Sequence, residues 1–386
     1  MSTLEDVGAI QTITLLLLEA WKARATDIHL EPRPLSMRVR YRIDGLLTDH
    51  RQLTGPLIAA VCTRLKVLSG MDVDEKRLPQ EGSFRQKVEG TELVCRVDTF
   101  PTEYGEKIAL RLLVERREVP SLTEIGMPAA MGEQLLAAAR RPSGLVLVTG
   151  PTGSGKTTTM YAMLRELERS EIAIFTLEDP VQYRFTGVTQ GQTNVRAGFT
   201  FASGLRAILR QDPNVIMVGE LPDSETASVA CTAALTGRMV ISSLHTNSVA
   251  DTFVRLTDIG VERFVLAEAL RAVVNQRLVR RLCVHCRRPV ATSEADRRAL
   301  LPYAAPPQMW EPKGCPRCNG TGYLGRVGLF EMVELDEPLA KLLKAGGGRQ
   351  EFATEFLRRG VKPIHLAGLE AAISGVTTVT EVLRVA

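Results

Sequence analysis

The amino-acid sequence predicts an α/β protein whose larger part is built on a parallel β-sheet, and three observations support this fold class. Apolar residues make up 45% and charged residues 24% of the chain, proportions typical of a folded globular protein. Short apolar runs alternate with helical segments from about residue 129 onward, which is the pattern of parallel strands buried on both faces. A glycine-rich segment, residues 150–157, separates one apolar run from a helical segment.

Length, charge and the absence of targeting signals exclude several other classes of protein. The 386 residues suggest two or three domains at about 150 residues each. The net charge of +4 is too small to indicate a nucleic-acid or acidic-lipid partner, and the 5% aromatic content argues against a base-stacking surface. No apolar run approaches the about 20 residues of a membrane span, and Glu5 and Asp6 stand where an export signal carries basic residues. We therefore expect a cytoplasmic protein.

Residues 1–115 are predicted to form one α+β domain. Apolar residues recur at helical spacing over 10–25, which predicts an amphipathic helix. Apolar and polar residues alternate over 37–43 and Asp44-Gly45 follows, which indicates a strand and a hairpin turn. Further strands are predicted at 93–97 and 107–114. Charges, two prolines and a glycine mark the next segment, and we place a linker at 116–128.

Residues 129–386 are predicted to form the second domain, and its four apolar runs are the expected strands: 145–148, 172–177, 215–218 and 240–242. A cysteine-rich module is expected at 283–326 and a helical subdomain at 330–386. Within that subdomain the three glycines at 346–348 predict a flexible join, followed by two helices.

Residues 150–157 match the phosphate-binding pattern G-x-x-x-x-G-K-[ST] between a predicted strand and a predicted helix. Glycines let the backbone N–H groups wrap around phosphate oxygens, and the helix that follows adds the positive end of its dipole. Lys156 can reach the β- and γ-phosphates, and the Thr157 hydroxyl can ligate Mg²⁺. The alternative is a glycine-rich turn that matches by chance, and the flanking strand and helix argue against it.

Polar residues also follow the next three predicted strands. Glu178 and Asp179 end the second, Glu220 ends the third and His245 follows the fourth. Because the carboxyl ends of parallel strands meet at one edge, we expect these side chains to gather around the phosphates. Glu220 can orient an attacking water or hold Mg²⁺ through water, and His245 can donate to a γ-phosphate or polarise Glu220. A solvated glutamate and a hydrogen-bonded structural histidine remain the alternatives.

Ten segments, four within residues 24–107 and six within residues 150–323, together resemble the secretion ATPases that power type II secretion and type IV pilus assembly. The family's second N-terminal domain is resembled by residues 24–32, 40–45, 75–80 and 102–107. Its Walker A loop, aspartate box, Walker B strand, histidine box and tetracysteine module are resembled by residues 150–158, 175–181, 215–220, 242–247, and 277–283 with 315–323. The segments keep the family's order and cover nearly the whole chain.

This resemblance implies a RecA-like P-loop ATPase domain preceded by a PAS-like N-terminal domain. It implies a homo-hexamer at the cytoplasmic face of the bacterial inner membrane, where hydrolysis of ATP with Mg²⁺ drives pilus or pseudopilus assembly through membrane platform proteins. The ATP-binding residues it implies are Gly150, Pro151, Thr152, Gly153, Ser154, Gly155, Lys156, Thr157 and Thr158. The catalytic residues it implies in this domain are Glu220, Glu178 and His245.

The resemblance further implies that the N-terminal domain supplies arginines to the nucleotide. Arg38, Arg40 and Arg42 occupy alternate positions of one predicted strand and therefore share a face. Guanidinium groups stabilise charge on a γ-phosphoryl by bidentate contacts, which makes Arg40 and Arg42 catalytic candidates. Arg255, after the histidine box, is a weaker candidate. A solvated strand face is the alternative for each arginine.

The sequence departs from this family in three places. The similarity begins almost at Met1, so we expect the family's first N-terminal domain to be missing. Either the usual recruitment to the membrane is then altered, or the chain is a short paralogue or a fragment. Pro222 stands where the family has an arginine, and it is expected to stiffen the turn after Glu220. Gln182 stands where a glutamate is usual. The groups nearest the phosphates are retained, so hydrolysis is still expected.

Four of the seven cysteines form two C-x-x-C pairs, Cys283 with Cys286 and Cys315 with Cys318. Thiolates at this spacing are ligands suited to Zn²⁺, and four sulfur ligands would make the site closed and structural. His285, between the first two, is expected to point away from the metal. The alternative is a small hydrophobic knot of four reduced thiols.

The densest cationic stretch of the sequence consists of Arg271, Arg277, Arg280, Arg281, Arg287 and Arg288. We interpret it as a solvated helix face or a contact with another subunit or a platform protein. Nucleic acid is disfavoured because aromatic partners are missing. Two alternative functions remain open, a P-loop motor acting on nucleic acid and a nucleotide-bound assembly subunit that does not hydrolyse.

Overall fold

A computed structural model describes residues 4–114 and 119–385 of the chain. It divides the chain into two compact units, Met1–Arg116 and Arg117–Ala386. Of the predicted linker at 116–128, residues 116–118 lie outside the described residues. Val119 and Leu122, which follow, are buried in the core of the second unit. The later part of the predicted linker therefore belongs to that unit.

The first unit is a six-stranded antiparallel sheet with two helices. The helices are α1 (Leu4–Lys22) and α2 (Pro56–Leu68). The strands are β1 (Ala25–Pro32), β2 (Ser36–Ile43), β3 (Leu46–Thr54), β4 (Gln80–Val88), β5 (Thr91–Thr102) and β6 (Gly105–Val114), in the order β3-β2-β1-β6-β5-β4. Apolar residues of both helices pack on alternate residues of the strands to form one core. The expected likeness to a PAS domain stays a prediction.

The strands predicted at 37–43, 93–97 and 107–114 are confirmed, as is the turn after β2. The predicted helix at 10–25 is wrong at its end, because α1 stops at Lys22 and β1 starts at Ala25. Arg24 between them has a φ of 58°, a left-handed conformation that a helix cannot continue through.

A buried ion pair lies inside the first unit. Lys66 of α2 and Glu106 of β6 are 2% and 7% exposed, and their charged atoms are 2.6 Å apart. Lys66 Nζ also donates to the carbonyl of Glu75 at 2.6 Å. The ion pair therefore joins α2 to the sheet and to the segment before β4.

The second unit contains a seven-stranded sheet and a separate two-stranded one. The large sheet has the order β15-β12-β7-β11-β10-β8-β9, and the two further strands β13 and β14 pair with each other. The strands are β7 (Gly144–Thr149), β8 (Ile174–Glu178), β9 (Thr189–Gln192), β10 (Val215–Val218), β11 (Met239–Leu244), β12 (Leu270–Leu282), β13 (Arg288–Ala291), β14 (Gln308–Glu311) and β15 (Tyr323–Glu334). Only the β12–β15 pair of the large sheet is antiparallel among the described residues. The four predicted strands are confirmed as β7, β8, β10 and β11.

Eleven helices are described in the second unit, and most of them cover the two faces of the large sheet. They are α3 (Ala129–Ala139), α4 (Lys156–Leu167), α5 (Phe201–Ile208), α6 (Ser224–Leu235), α7 (Val249–Asp258), α8 (Arg263–Ala269), α9 (Glu294–Ala299), α10 (Glu337–Ala345), α11 (Arg349–Arg358), α12 (Ile364–Ile373) and α13 (Val379–Val385). Val146 and Val148 of β7 pack in the core with α3 and α4, whereas Leu145 and Leu147 pack in the core with α6, α7 and α8. Both faces of the sheet are buried, which explains why the strands appear in the sequence as continuous apolar runs.

The flexible join predicted at 346–348 is wrong. Gly346 ends α10 in a left-handed conformation, and a Cβ on it would lie 2.2 Å from a nitrogen of Arg263. Gly348 begins α11 directly, so the glycines form a tight turn between packed helices. Three helices follow, and β15 continues to Glu334, inside the predicted helical subdomain.

Replacing Lys66 by methionine is expected to lower the free energy of unfolding of the first unit by about 3–5 kcal/mol, because Glu106 is left buried without its partner. The double variant Lys66→Met/Glu106→Leu should recover most of the loss. Urea denaturation followed by circular dichroism measures both.

The matched control is Lys22→Met in the same unit, which removes an ion pair with Glu89 whose side chains are 58% and 51% exposed. Its cost should stay below about 1 kcal/mol. A cost for Lys66→Met as small as that of the control would contradict the assignment of a structural role to the buried ion pair.

Candidate active site

The glycine-rich segment 150–157, which we call the phosphate loop, connects β7 to α4. Gly153 and Gly155 have φ of 79° and 90°, the left-handed region that favours glycine. Gly150 lies so close to β12 that a Cβ on it would be 2.5 Å from the carbonyl oxygen of Gln276. The loop therefore curls over the N-terminus of α4, whose free N–H groups and dipole favour an anion. This backbone fits a phosphate group.

Lys156 begins α4 and turns back over the phosphate loop. Its ammonium donates to the carbonyls of Gly150 at 2.9 Å and Pro151 at 3.2 Å. Burial lowers the pKa of Lys156 to about 8, although the nearby Glu220 carboxylate opposes the shift. The lysine is thus a buried cation that gains from an anionic partner.

His245 connects Lys156 to Glu220. It opens residues 245–248, which we call the histidine loop, just after β11, while Glu220 follows the neighbouring β10. The Lys156 ammonium lies 3.3 Å from His245 Nδ1, and His245 Nε2 lies 3.3 Å from Glu220 Oε2. Because an ammonium can only donate, Nδ1 accepts, and Nε2 carries the proton that is donated to Glu220. The three residues form one hydrogen-bonded line.

Hydrogen bonds between β10 and β11 fix the backbone on which Glu220 stands. The Ser242 hydroxyl donates to the carbonyl of Val218 at 2.8 Å, and that of Ser243 donates to the carbonyl of Gly219 at 2.7 Å. Leu221 N–H donates back to Ser243 at 3.1 Å. Glu220 therefore extends from a braced strand end with 43% of its side chain exposed, ready for contact with water.

Pro222 lies on the surface, in the turn between the buried Leu221 and the N-cap residue of α6, Asp223. Asp223 accepts from the N–H of Thr226 at 2.8 Å, so α6 is capped two residues after the buried Leu221. The turn is thus held on both sides by local contacts. Gln182 contributes its backbone N–H to the Tyr161 hydroxyl at 3.2 Å.

Glu178 lies in a different hydrogen-bonded cluster from Glu220. Its carboxylate is 2% exposed, on the α4 face of the sheet, and it accepts from the hydroxyls of Tyr161 and Thr176 and from Gln190 Nε2 at 3.2 Å. Burial raises the pKa of Glu178, and these donors oppose the shift. The structure brings Lys156, His245 and Glu220 together and places Glu178 under α4.

Three polar residues in the middle of β12, which sequence reasoning did not assign to the site, contact its loops. Gln276 Nε2 donates to the Ser154 carbonyl at 2.6 Å, and Gln276 Oε1 accepts from the Thr159 hydroxyl at 2.7 Å. Asn275 Nδ2 donates to the Thr246 carbonyl at 3.2 Å, and Arg277 contacts the histidine loop as well. The signal that could have found them is a polar triplet between two apolar runs of one strand, residues 272–274 and 278–279.

The arginine candidates of the first unit alternate along β2 and are each held by neighbouring groups of that unit. Arg38 makes two hydrogen bonds to Asp49, at 2.6 and 2.8 Å. Arg40 pairs with Glu31 at 2.5 Å. Arg42 donates to a turn carbonyl at 3.0 Å and lies 3.5 Å from a carboxylate oxygen of Asp27. Arg255 is exposed on α7.

The predicted helix face at 271–288 is wrong, because these residues lie on β12 and in the segment up to β13. Most of the arginines are engaged within the second unit. Arg280 pairs with the buried Glu381 at 2.9 Å and covers the ring of Tyr323, and Arg287 covers the ring of Trp310. Arg277 is 8% exposed. The stretch is therefore not an open cationic surface of the kind that binds phosphate backbones.

The four paired cysteines converge on one point. Their sulfur atoms all lie within 4.8 Å of one another, with closest separations of 3.7, 3.8 and 3.9 Å. Four thiolates at about 2.3 Å from a tetrahedral Zn²⁺ would be about 3.8 Å apart, so the donor set fits that ion. Burial raises the pKa of the Cys318 thiol, but N–H donation from Cys315 and Gly322 outweighs it and lowers the pKa to about 6. The His285 ring contacts Arg317 instead.

No helix in the described parts of the chain has both the length and the apolar character needed to cross a bilayer.

Comparison with known proteins places these features in a family. Residues 3–384 match the family model described as type II/IV secretion system protein. The type II secretion system protein E of Klebsiella pneumoniae is 42% identical over 387 aligned residues, covering 99% of this chain and 76% of that protein. The type IV pilus assembly ATPase PilB of Myxococcus xanthus is 40% identical, covering 98% of this chain and 68% of that protein. The crystal structure of the pilus retraction motor PilT with bound ADP has a TM-score of 0.64 at 26% identity and covers 96% of both chains.

Proposed function

This chain belongs to the family of type II/IV secretion system proteins, and on that basis we propose that its second unit hydrolyses ATP to drive protein secretion or pilus assembly. It is an ATPase of the secretion and pilus-assembly class. The relatives support the assignment, since one is named a pilus assembly ATPase and a solved one is a pilus motor with bound ADP.

One observation carries this proposal, the line of hydrogen bonds from Lys156 through His245 to Glu220 beside the phosphate loop. The line starts at the group that grips phosphate and ends at a carboxylate that water can reach. A turn that only binds phosphate needs no such carboxylate at the neighbouring strand end. The arrangement is that of a P-loop site equipped for hydrolysis.

Each residue of the site has its own role in the proposed hydrolysis. The backbone of the phosphate loop binds the phosphates, and Lys156 exchanges the carbonyls of Gly150 and Pro151 for phosphate oxygens. Thr157 would hold Mg²⁺, which neutralises phosphate charge when bound. Glu220 orients the attacking water and accepts its proton, while His245 holds the carboxylate through Nε2–H. Glu178 supports the same edge from the buried side through Tyr161 and Thr176.

We propose further that the active form is a homo-hexamer at the cytoplasmic face of the inner membrane, where it acts on platform proteins. Arg40 and Arg42 would then supply positive charge to a nucleotide. Their alternate positions on β2 and their pairing with Glu31 and Asp27 support this, because carboxylate partners keep the guanidinium groups ordered until phosphate replaces them.

The four-cysteine site would hold a structural Zn²⁺. The sulfur separations fit a tetrahedral ion, and sulfur at every ligand position closes the site to substrate. The ion would fix the segment between β12 and β15, against which α12 and α13 pack.

Replacing Glu220 by glutamine is expected to lower the turnover of ATP at least about 100-fold, because the amide cannot accept the proton of the attacking water. Binding of a fluorescent ADP analogue should stay within about twofold, since the phosphate loop is untouched. Phosphate release and fluorescence titration measure the two quantities.

The matched control is Glu225→Gln, on the exposed start of α6, where the carboxylate pairs with Arg206 at 2.6 Å. It should leave turnover unchanged. A wild-type protein that binds ADP but does not hydrolyse ATP would instead support a non-hydrolysing assembly subunit, and stimulation of hydrolysis by DNA would support a nucleic-acid motor.

ADP binding is expected to weaken as the pH rises above about 8. The pKa of Lys156 is lowered to about 8 by burial, and phosphate favours the charged form, so binding above this pH requires uptake of a proton. The dissociation constant should rise up to about tenfold per pH unit between pH 8 and 9.5. Phosphate does not titrate in this range, because its pKa is about 6.

Lys156→Arg provides the control, because a guanidinium keeps its charge throughout this range. Whatever its affinity, the variant should bind ADP equally well at pH 8 and 9.5. Wild-type affinity that is flat over the same range would count against a titrating lysine in the site.

The purified protein is expected to contain one zinc ion per chain, measured by plasma mass spectrometry. Cys283→Ser should lower the zinc content and the midpoint of thermal unfolding, because metal binding contributes folding free energy. Cys62→Ser, at a half-buried cysteine of the first unit, is the control and should retain the ion. Metal-free protein with an unchanged midpoint would refute the site.

A further inference from the structure

Arg277 connects the histidine loop to the C-terminal helix of the second unit. Its Nη2 donates to the Asn247 carbonyl at 2.8 Å, and its Nε donates to the Val385 carbonyl, at the end of α13, at 3.1 Å. Its Nη1 donates to two acceptors on its own strand, at 3.1 and 3.2 Å. All three nitrogens of a buried guanidinium are therefore engaged, and the residue cannot move without breaking several charge-assisted hydrogen bonds.

Arg277 and Gln276 act on opposite faces of the sheet because side chains alternate along a strand. Val274 and Gln276 face the core that contains α4, where Gln276 contacts the phosphate loop at Ser154. Val273 and Arg277 face the core that contains α7, where Arg277 contacts the histidine loop. Two neighbouring residues thus each hold a different loop of the site.

Glu331 of β15 supports the far end of the histidine loop. It pairs with Asn275 in the strand register and is 8% exposed. Its carboxylate accepts from the N–H groups of Val249 and Ile364, the first residues of α7 and α12. Burial raises the pKa of Glu331, while those N–H groups and Arg277 oppose the shift. A carboxylate at two helix N-termini is favoured by both dipoles, so α7 is fixed where the histidine loop ends.

We propose that Arg277 is a positioning residue for hydrolysis, which keeps His245 on Glu220 by holding the main chain of the histidine loop, with Glu331 fixing the start of α7. Gln276 positions the phosphate loop in the same way. The inference rests on the proposed ATP hydrolysis and adds a division of roles. Turnover depends on Arg277, and nucleotide affinity depends on Gln276.

The different roles of Arg277 and Gln276 follow from the loop that each residue contacts. His245 Nε2 lies 3.3 Å from Glu220, and half of the histidine side chain is exposed. The position of the ring therefore depends on the backbone of the histidine loop. Asn275 and Arg277 hold the carbonyls of Thr246 and Asn247, the two residues after it. Misplacement of a reacting group by about 1 Å costs up to about 100-fold in rate.

The experiment compares Arg277→Met, Arg277→Lys, Gln276→Leu and the control Arg271→Met. Arg271 lies on the same strand and also donates to backbone carbonyls, those of Ser143 and Glu268, at the end remote from the loops. The readouts are kcat and KM for ATP with Mg²⁺ and the dissociation constant of ADP, measured on the assembled protein.

Arg277→Met is expected to lower kcat about 10–100-fold, with KM and ADP affinity within about twofold of wild type. Arg277→Lys should recover part of kcat, because an ammonium can still donate to Asn247. Gln276→Leu should weaken ADP binding about tenfold, because the Ser154 carbonyl and the Thr159 hydroxyl lose their partner. Arg271→Met should keep wild-type values.

Equal losses of kcat and ADP affinity in Arg277→Met would show a merely structural role and overturn the inference, as would an unchanged kcat. If Arg277→Met does not fold by circular dichroism, Arg277→Lys and Glu331→Gln decide, since both keep a donor or acceptor in place. Wild-type kcat in both would overturn the inference. If the wild-type protein hydrolyses no ATP, the proposed function and the inference are both overturned. The outcomes for the variants, in contrast, overturn the inference alone.

Discussion

The parallel register of β12, β7, β11, β10 and β8 is the constraint on which the rest of the second unit depends. Because both faces of these strands are buried, polar side chains have room only where the strands end. Val218 stands beside Ser242 in adjacent strands, so Glu220 and His245 reach the same edge two and three residues later. The chemistry is thereby assembled from residues far apart in the sequence.

The β12 strand departs from that constraint beside the candidate site. Asn275, Gln276 and Arg277 are polar residues in the interior of the sheet, and each must therefore be satisfied by hydrogen bonds. Their partners are the ends of β7 and the two loops of the site. Loss of a hydrogen-bond partner costs a buried polar group more free energy than it costs a surface group. Each of these residues therefore forms a rigid connection between the sheet and its hydrogen-bond partners.

Much of this could be predicted from the sequence, because dry strands and a phosphate loop have local signatures. The runs that became β7, β8, β10 and β11, the lysine of the loop, and the placement of Glu220 beside His245 all follow from local pattern and parallel topology. The burial of Glu178 under α4 could not be predicted, since its partners Tyr161 and Gln190 come from other elements. From the sequence, Arg277 cannot be told apart from the other arginines of residues 271–288, because residue type alone does not show that it is buried in the sheet.

The distribution of burial explains how such a site can be both precise and reactive. Glu220 and His245 are about half exposed, while Asn275, Gln276 and Arg277, which hold their surroundings, are almost fully buried. Groups that meet water and nucleotide must remain reachable, so their orientation cannot come from packing around them. It comes instead from backbone carbonyls held by side chains in the core, where geometry is fixed by several hydrogen bonds at once. For the proposed hydrolysis, the orientation of Glu220 and His245 therefore depends on buried residues that hold the backbone of the loops around them.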